Sequence, residues 1–165
     1  MKIYIDLDGV LCNFDKGVED FFKLENGTYK KLDIKTKGDY IKKLCGTDFF
    51  YTLEKFEDTD DFLEEFWLAD LPFNILTRPL DIDYINSSVL KKKWVENNLN
   101  TQPGEIIFER HKFLYATTDG ESNILIDDRK DNIDRWEANG GIGILFSRYT
   151  SKYSDVISKL QDIQE

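Results

Sequence analysis

The 165-residue chain is poor in the residues that staple or metal-stake a fold: it has two cysteines, Cys12 and Cys45, and a single histidine, His111. Two cysteines without paired metal-ligand spacing offer no disulfide or zinc framework, and one histidine argues against a histidine-ligated zinc site. Positive charge is also short. There are 22 Lys plus Arg against 32 Asp plus Glu, a formal net charge of −10, with no basic block anywhere. Such a surface repels phosphate backbones at long range, so no nucleic acid polymer is expected as a partner. A small anionic substrate stays open, because a metal ion and a few lysines or arginines make a site locally positive. No apolar run approaches bilayer-spanning length, and the N-terminus enters a charged strand without a signal-like apolar segment. These absences predict no membrane partner and a reduced, cytoplasmic setting. No repeat or low-complexity tract divides the chain, and its length predicts one domain with room for a small insertion.

What is present is alternation of short β-rich runs with helical patterns. Lys2 to Asp6, Phe73 to Thr77, Glu105 to Phe108, Asn123 to Asp127 and Ile142 to Phe146 are the strand candidates. Asp81 to Leu99 places Ile82, Ile85, Val89, Leu90, Trp94 and Val95 at helical spacing, Asn132 to Ala138 is a short helix ended by Gly140 and Gly141, and Ser151 to Ile163 is amphipathic. This order predicts an α/β fold, a Rossmann-like parallel sheet with helices on both faces. The stretch from Phe14 to Leu71 breaks the alternation, with helical patterns at Val18 to Leu24, Tyr40 to Leu44 and Asp60 to Leu68. So long a connection carries its own structure and often a function. We expect 1–13 and 72–165 to form the core, and 14–71 a mostly helical cap insertion over the sheet end where Asp6 emerges, with part of it packing as a core helix. Its segment "TDFFYTLEKF" gathers Phe49, Phe50, Tyr51 and Phe56; such aromatics are usually core, and a ligand-facing role stays open.

In open parallel sheets ligands bind at the carboxyl ends of the strands, near the topological switch point. Three predicted strand ends carry reactive groups: Asp6 and Asp8 on the first, Thr77 and Arg78 on the second, Asp127 and Asp128 on the fourth. Asp6 and Asp8, two apart on extended backbone, are expected to point to the same side. Carboxylates held together need a cation between them or a proton on one of them. Mg²⁺ takes oxygen ligands from a couple of carboxylates and keeps positions for water and substrate phosphate, so the cluster predicts a magnesium site. Taken singly, an Asp-x-Asp before glycine is commonly a turn or a cap, and a pair of aspartates means little in an acid-rich chain. Their combination at successive strand ends carries the reading.

"DLDGV" at 6 to 10, "LTRP" at 76 to 79, Lys112 and "IDDR" at 126 to 129 resemble, in order and spacing, the four motifs of haloacid dehalogenase-like phosphohydrolases. Within that group, "DLDGVLCNF", "FFYTLEK", "KKKWVENNL" and "ERHK" followed by "ILIDDRKDN" are similar to the 5′(3′)-deoxyribonucleotidases, over about residues 1 to 132. The resemblance implies that Asp6 attacks phosphorus to form an aspartyl-phosphate, and that Asp8 protonates the leaving oxygen and then activates water. It implies Mg²⁺ held by Asp6, the backbone carbonyl of Asp8 and Asp128, with Asp127 orienting a metal-bound water. Thr77 would donate to the phosphoryl group and Lys112 would neutralise charge on nucleophile and phosphoryl oxygens. Arg110 would contact phosphate or leaving group, Arg129 pairs with an acidic neighbour, and Phe49 and Phe50 could stack on a nucleobase under the cap.

Two departures from that resemblance stand out: Arg78 stands where the deoxyribonucleotidases have a small serine, and Asp81 where the resemblance leads one to expect a lysine, so Arg78 is the candidate for the missing positive charge. The leading expectation is a Mg²⁺-dependent phosphomonoesterase acting on a small phosphate ester, a nucleoside or deoxynucleoside monophosphate. The alternatives are a nucleic-acid 3′-end phosphatase, a sugar-phosphate phosphatase, and a non-catalytic binding module on the same fold.

Overall fold

The computed structural model describes residues 1–164. Its main sheet contains β1 (Ile3–Ile5), β2 (Phe73–Thr77), β3 (Ile106–Phe108), β6 (Ile124–Asp127) and β7 (Ile142–Leu145), all parallel, in the order β3-β2-β1-β6-β7. A two-stranded antiparallel pair, β4 (Thr117–Thr118) and β5 (Glu121–Ser122), turns the chain before β6. The register sets Ile5 beside Ile75 on one side and Ile126 on the other. The chain leaves β1 outward through β2 and β3, then returns to β1's other flank through β6 and β7. The switch point therefore lies at the carboxyl end of β1, the place where such sheets bind ligands.

Parallel strands are covered on both faces, and here alternate residues divide between two cores. Ile3, Ile5, Phe73, Ile75, Ile124 and Ile126 face one cluster, shared with Phe62 and Phe66 of α4 (Thr59–Leu68), Trp94 and Val95 of α5 (Tyr84–Asn98), and Val156 and Leu160 of α7 (Tyr153–Gln164). Tyr4, Leu76 and Leu125 face the other, against Ile133 and Trp136 of α6 (Lys130–Ala138). The indole N–H of Trp136 donates to the Asn123 carbonyl (3.0 Å), so this buried aromatic keeps its polar end satisfied. The expected α/β class, all five strands and the three later helices are observed. Helix α5 begins at Tyr84 rather than Asp81, because residues 81–83 form a tight 3₁₀ turn that the Ser87 hydroxyl closes by accepting from Leu80 N and contacting Asp83 O.

The 14–71 stretch holds α1 (Phe14–Phe22), α2 (Thr28–Lys31), α3 (Ile34–Lys43) and α4. Asn13 caps α1 by accepting from Lys16 N at 3.1 Å, and Asp33 caps α3 by accepting from Thr36 N at 2.9 Å. Glu19 is buried in α1, where its carboxylate accepts from the backbone of Gly27 and Tyr29 and fastens the following turn. Helix α4 packs onto the sheet, with the Phe66 ring 5.5 Å from that of Phe73. Among the described residues, no helix is long and apolar enough to cross a membrane.

Candidate active site

Asp6 leaves β1 with its backbone N–H still bonded to Ile126 O (2.9 Å), after which the chain folds back on itself. Leu11 N and Cys12 N both donate to Leu7 O, and Gly9 N donates to Cys12 O, closing a tight loop from Leu7 to Cys12. Gly9 is required twice. Its φ of +79° is a glycine conformation, and a Cβ there would sit 2.2 Å from Asp128 Oδ2. The loop can approach the end of β6 only because that side chain is missing.

Regular strand ends at Ile5, so strand alternation no longer fixes where Asp6 and Asp8 point. The two carboxylates meet different cations from opposite faces of the sheet. Asp6 Oδ1 accepts from Leu7 N (2.8 Å) and lies 2.8 Å from Lys112 Nζ, on the α6 face. Its Oδ2 has no partner of this kind among the described residues and is the oxygen open to a reacting centre. Asp8 Oδ2 bonds Lys91 Nζ, which reaches in from α5 and also meets Thr77 Oγ1 at 3.1 Å.

Lys91 is the residue that sequence reasoning missed. It is fully buried, its ammonium 4.5 Å from the centre of the Phe50 ring. Inside a "KKK" run it reads as solvated. The available signal was its place three residues before Trp94 and four after Ser87, on the apolar face of α5.

Lys112 sits on the 3₁₀ turn Lys112–Tyr115 and is buried between Asp6 and Asp127, 2.6 Å from Asp127 Oδ2. Desolvation works against its charge, but the two carboxylates outweigh it and raise its pKa. Burial also pushes the Asp127 carboxyl up, which on its own would favour a neutral acid. The two directions compete, and the hydrogen bonds decide between them: Asp127 accepts from Lys112 Nζ, Arg129 N (2.9 Å) and Asn132 Nδ2 (3.0 Å), all suited to a carboxylate. We read it as the ionised partner. These donors occupy both of its oxygens, so Asp127 chiefly holds Lys112 in place.

Asp128 differs. Desolvation, then Asp6 and Asp127, push its carboxyl up to about 8, while the residue stays open to solvent. Oxygens of Asp6, Asp127 and Asp128 all lie within 4.8 Å of one another. Crowded carboxylates with a solvent-side opening fit a hard divalent cation of Mg²⁺ type, which would relieve the repulsion among them. Asp6 and Asp128 are the side chains best placed to hold it.

The side chains of the remaining expected residues have other partners. Arg78 and Arg110 follow the adjacent strands β2 and β3, and both turn to one carboxylate oxygen of Asp81, at 2.5 and 3.4 Å. The two departures in the sequence thus pair with each other, and the guanidiniums hold the Asp81 carboxyl below its ordinary range. Phe49 and Phe50 are 0 % and 3 % exposed. The expected stacking platform is corrected: both rings are packed, edge-on to each other at 5.1 Å, with Phe14 and Phe21 against Phe49 and the Lys91 ammonium over Phe50. Burying these large rings stabilises the insertion more than presenting them to solvent would. Arg129 pairs with Asp131 (2.9 Å), as its acidic surroundings predict.

The sequence matches no protein-family model and no curated protein. Solved structures do match over nearly the whole chain. A haloacid dehalogenase-like superfamily hydrolase from Ehrlichia chaffeensis is 12 % identical, with 99 % of this chain and 97 % of that one covered and a TM-score of 0.58. The fold is that of the haloacid dehalogenase-like hydrolases. An L-2-haloacid dehalogenase aligns at 10 % identity over 97 % of this chain and 98 % of its own, TM-score 0.66. A family enzyme from Bacteroides thetaiotaomicron, solved as a magnesium complex, aligns at 16 % identity over 94 % and 97 %, TM-score 0.57.

Proposed function

We propose that this protein is a Mg²⁺-dependent phosphomonoesterase that hydrolyses a small phosphate ester through an aspartyl-phosphate on Asp6, with a nucleoside or deoxynucleoside monophosphate as the leading substrate class. The observation that carries the reading is the meeting, at the switch point, of an Asp6 with one free oxygen, Asp128 beside it, and two buried lysines on opposite faces. A phosphate dianion approaching a carboxylate needs counter-charge from more than one direction. Lys112 fixes Asp6 Oδ1, leaving Oδ2 for in-line attack. Lys91 stands between Asp8 and Thr77, so a phosphoryl group bonded to the Thr77 hydroxyl meets its ammonium as well. That contact draws Lys91 from Asp8, whose unpaired carboxylate takes a proton from solvent and gives it to the leaving oxygen; ionised again, Asp8 then takes a proton from the water that cleaves the acyl-phosphate. When bound, Mg²⁺ would supply Lewis-acid stabilisation of charge on the phosphoryl oxygens. The nucleotide preference is supported by the sequence resemblance. Arg110, which that resemblance assigns to phosphate or leaving group, is engaged with Asp81 together with Arg78.

The test is a panel of nucleoside monophosphates, sugar phosphates, phosphorylated oligonucleotides and 2-haloacids, assayed with Mg²⁺ and with EDTA. Phosphate release that needs Mg²⁺ and disappears in Asp6→Asn is expected. Halide release, metal-independent turnover, or full activity in Asp6→Asn would overturn the reading.

A further inference from the structure

Beyond the cluster that meets the phosphate, a hydroxyl pair buried behind the Leu7–Cys12 loop ties the catalytic edge to the end of the chain. Tyr153, first residue of α7, donates to Val10 O at 2.5 Å. Its hydroxyl lies 3.0 Å from Thr59 Oγ1 of α4, which is itself 3.0 Å from Leu11 O. Two hydroxyl protons serve three oxygen contacts, so Thr59 donates either to Leu11 or to Tyr153, and the Tyr153 proton goes to Val10 over the shortest contact. The two carbonyls depend on this pair unequally. Leu11 O also accepts from Phe56 N (3.1 Å), whereas Val10 O has no other donor among the described residues. The Tyr153 ring is held by stacking on both faces, 4.1 Å from Phe62 and 5.0 Å from Phe146, with interplanar angles of 6° and 4°. A buried, doubly stacked tyrosine has almost no freedom, so its hydroxyl is a fixed point.

We infer that Tyr153 is a positioning residue: through its bond to Val10 O, steadied by Thr59, the C-terminal helix sets the conformation of the Leu7–Cys12 loop and with it the placement of Asp8 beside Lys91. The catalytic meaning rests on the proposed roles of Asp6 and Asp8, and the structural link does not. The loop reaches Asp8 through short connections, since Gly9 N donates to Cys12 O and the Cys12 thiol lies 3.6 Å from Asp8 Oδ1. A shift at Val10 therefore moves the acid–base carboxylate without touching it.

Tyr153→Phe removes the donor and keeps the stack. Phe62→Leu weakens the stack and keeps the donor, which makes it the matched destabilised control. Both are compared with the parent protein by urea denaturation, by amide exchange under native conditions followed by NMR, and by steady-state hydrolysis of p-nitrophenyl phosphate. One lost hydrogen bond predicts roughly five- to tenfold faster exchange at Gly9, Leu11 and Cys12 in Tyr153→Phe, and a fall in kcat of similar size with KM within about twofold. Phe62→Leu is expected to lower stability without selective change at these amides and to keep kcat per folded molecule. Equal exchange profiles in the two variants at matched stability would overturn the inference, as would a Tyr153→Phe protein with unchanged kcat. If the parent protein hydrolyses no phosphate ester, the proposed function fails while the exchange comparison still decides whether Tyr153 sets the loop.

Discussion

Replacing Lys91 with methionine separates the two jobs that this buried residue combines. Its stem is buried on the face of α5 that also carries the buried Trp94 and Val95, and its ammonium bonds Asp8 and Thr77. Methionine preserves the length and apolar contacts of the stem and removes only the charge. Leaving a buried partner charge unpaired costs about 3–5 kcal/mol when that partner is sealed from water. Asp8 is not sealed, with 24 % of its side chain exposed, so it rehydrates. We therefore expect a stability loss below about 2 kcal/mol, well under the sealed-pair value. On the proposed mechanism catalysis depends on charge beside the Thr77 hydroxyl, and removing one preorganised donor of this kind typically costs 10²–10³ in kcat, about 2.7–4 kcal/mol. Urea denaturation gives the first quantity, and steady-state hydrolysis of p-nitrophenyl phosphate with Mg²⁺ gives the second. A Lys91→Met enzyme within threefold of the parent kcat, alongside an inactive Asp6→Asn, would refute the assignment of Lys91 to the phosphoryl group.

Gly9→Ala combines a positive-φ penalty, of order 1 kcal/mol, with a Cβ placed 2.2 Å from Asp128 Oδ2. It should lower stability by roughly 1–3 kcal/mol and weaken Mg²⁺ binding measured by calorimetry; binding at parental affinity would show that Asp128 is not a ligand. Asp81→Asn leaves Arg78 and Arg110 without their shared carboxylate. As this is a surface network, we expect stability to change by less than about 1 kcal/mol, while kcat/KM for anionic monoesters rises and becomes more salt-sensitive. An unchanged salt dependence would mean that the arginines do not face incoming substrate.

The strand ends were legible because parallel strands read as short apolar runs and end where polar residues begin, which places Asp6, Thr77 and Asp127 within a residue of their positions. Lys91 was not, because a lysine with two lysine neighbours looks solvated, and only its phase relative to Trp94 marks it as inward-facing. Phe49 and Phe50 show the opposite error. An aromatic pair in an insertion suggests a ligand platform, but an insertion must also build its own core, and here the rings do that. The brief α2 helix and the β4–β5 pair went unread because two to four residues carry no measurable period. The clamp on Val10 joins residues 143 positions apart through a tyrosine that local pattern identifies only as helix.

The sheet itself separates the two lysines. Lys112 and Asp127 belong to the layer with α6, and Lys91 and Thr77 to the layer with α5, so the only structure common to both is the strand edge where Asp6 and Asp8 emerge. Substitutions in one layer reach the other through the backbone of the five parallel strands. On the proposed function, the mouth of the α5 layer, where Arg78 and Asp81 pair, can be rebuilt for a different leaving group while Lys91 and Thr77 are kept and Lys112 and Asp127 stay as they are. A library confined to Arg78 and Asp81, with Lys91 and Thr77 kept, should diversify substrate choice and leave the first chemical step intact.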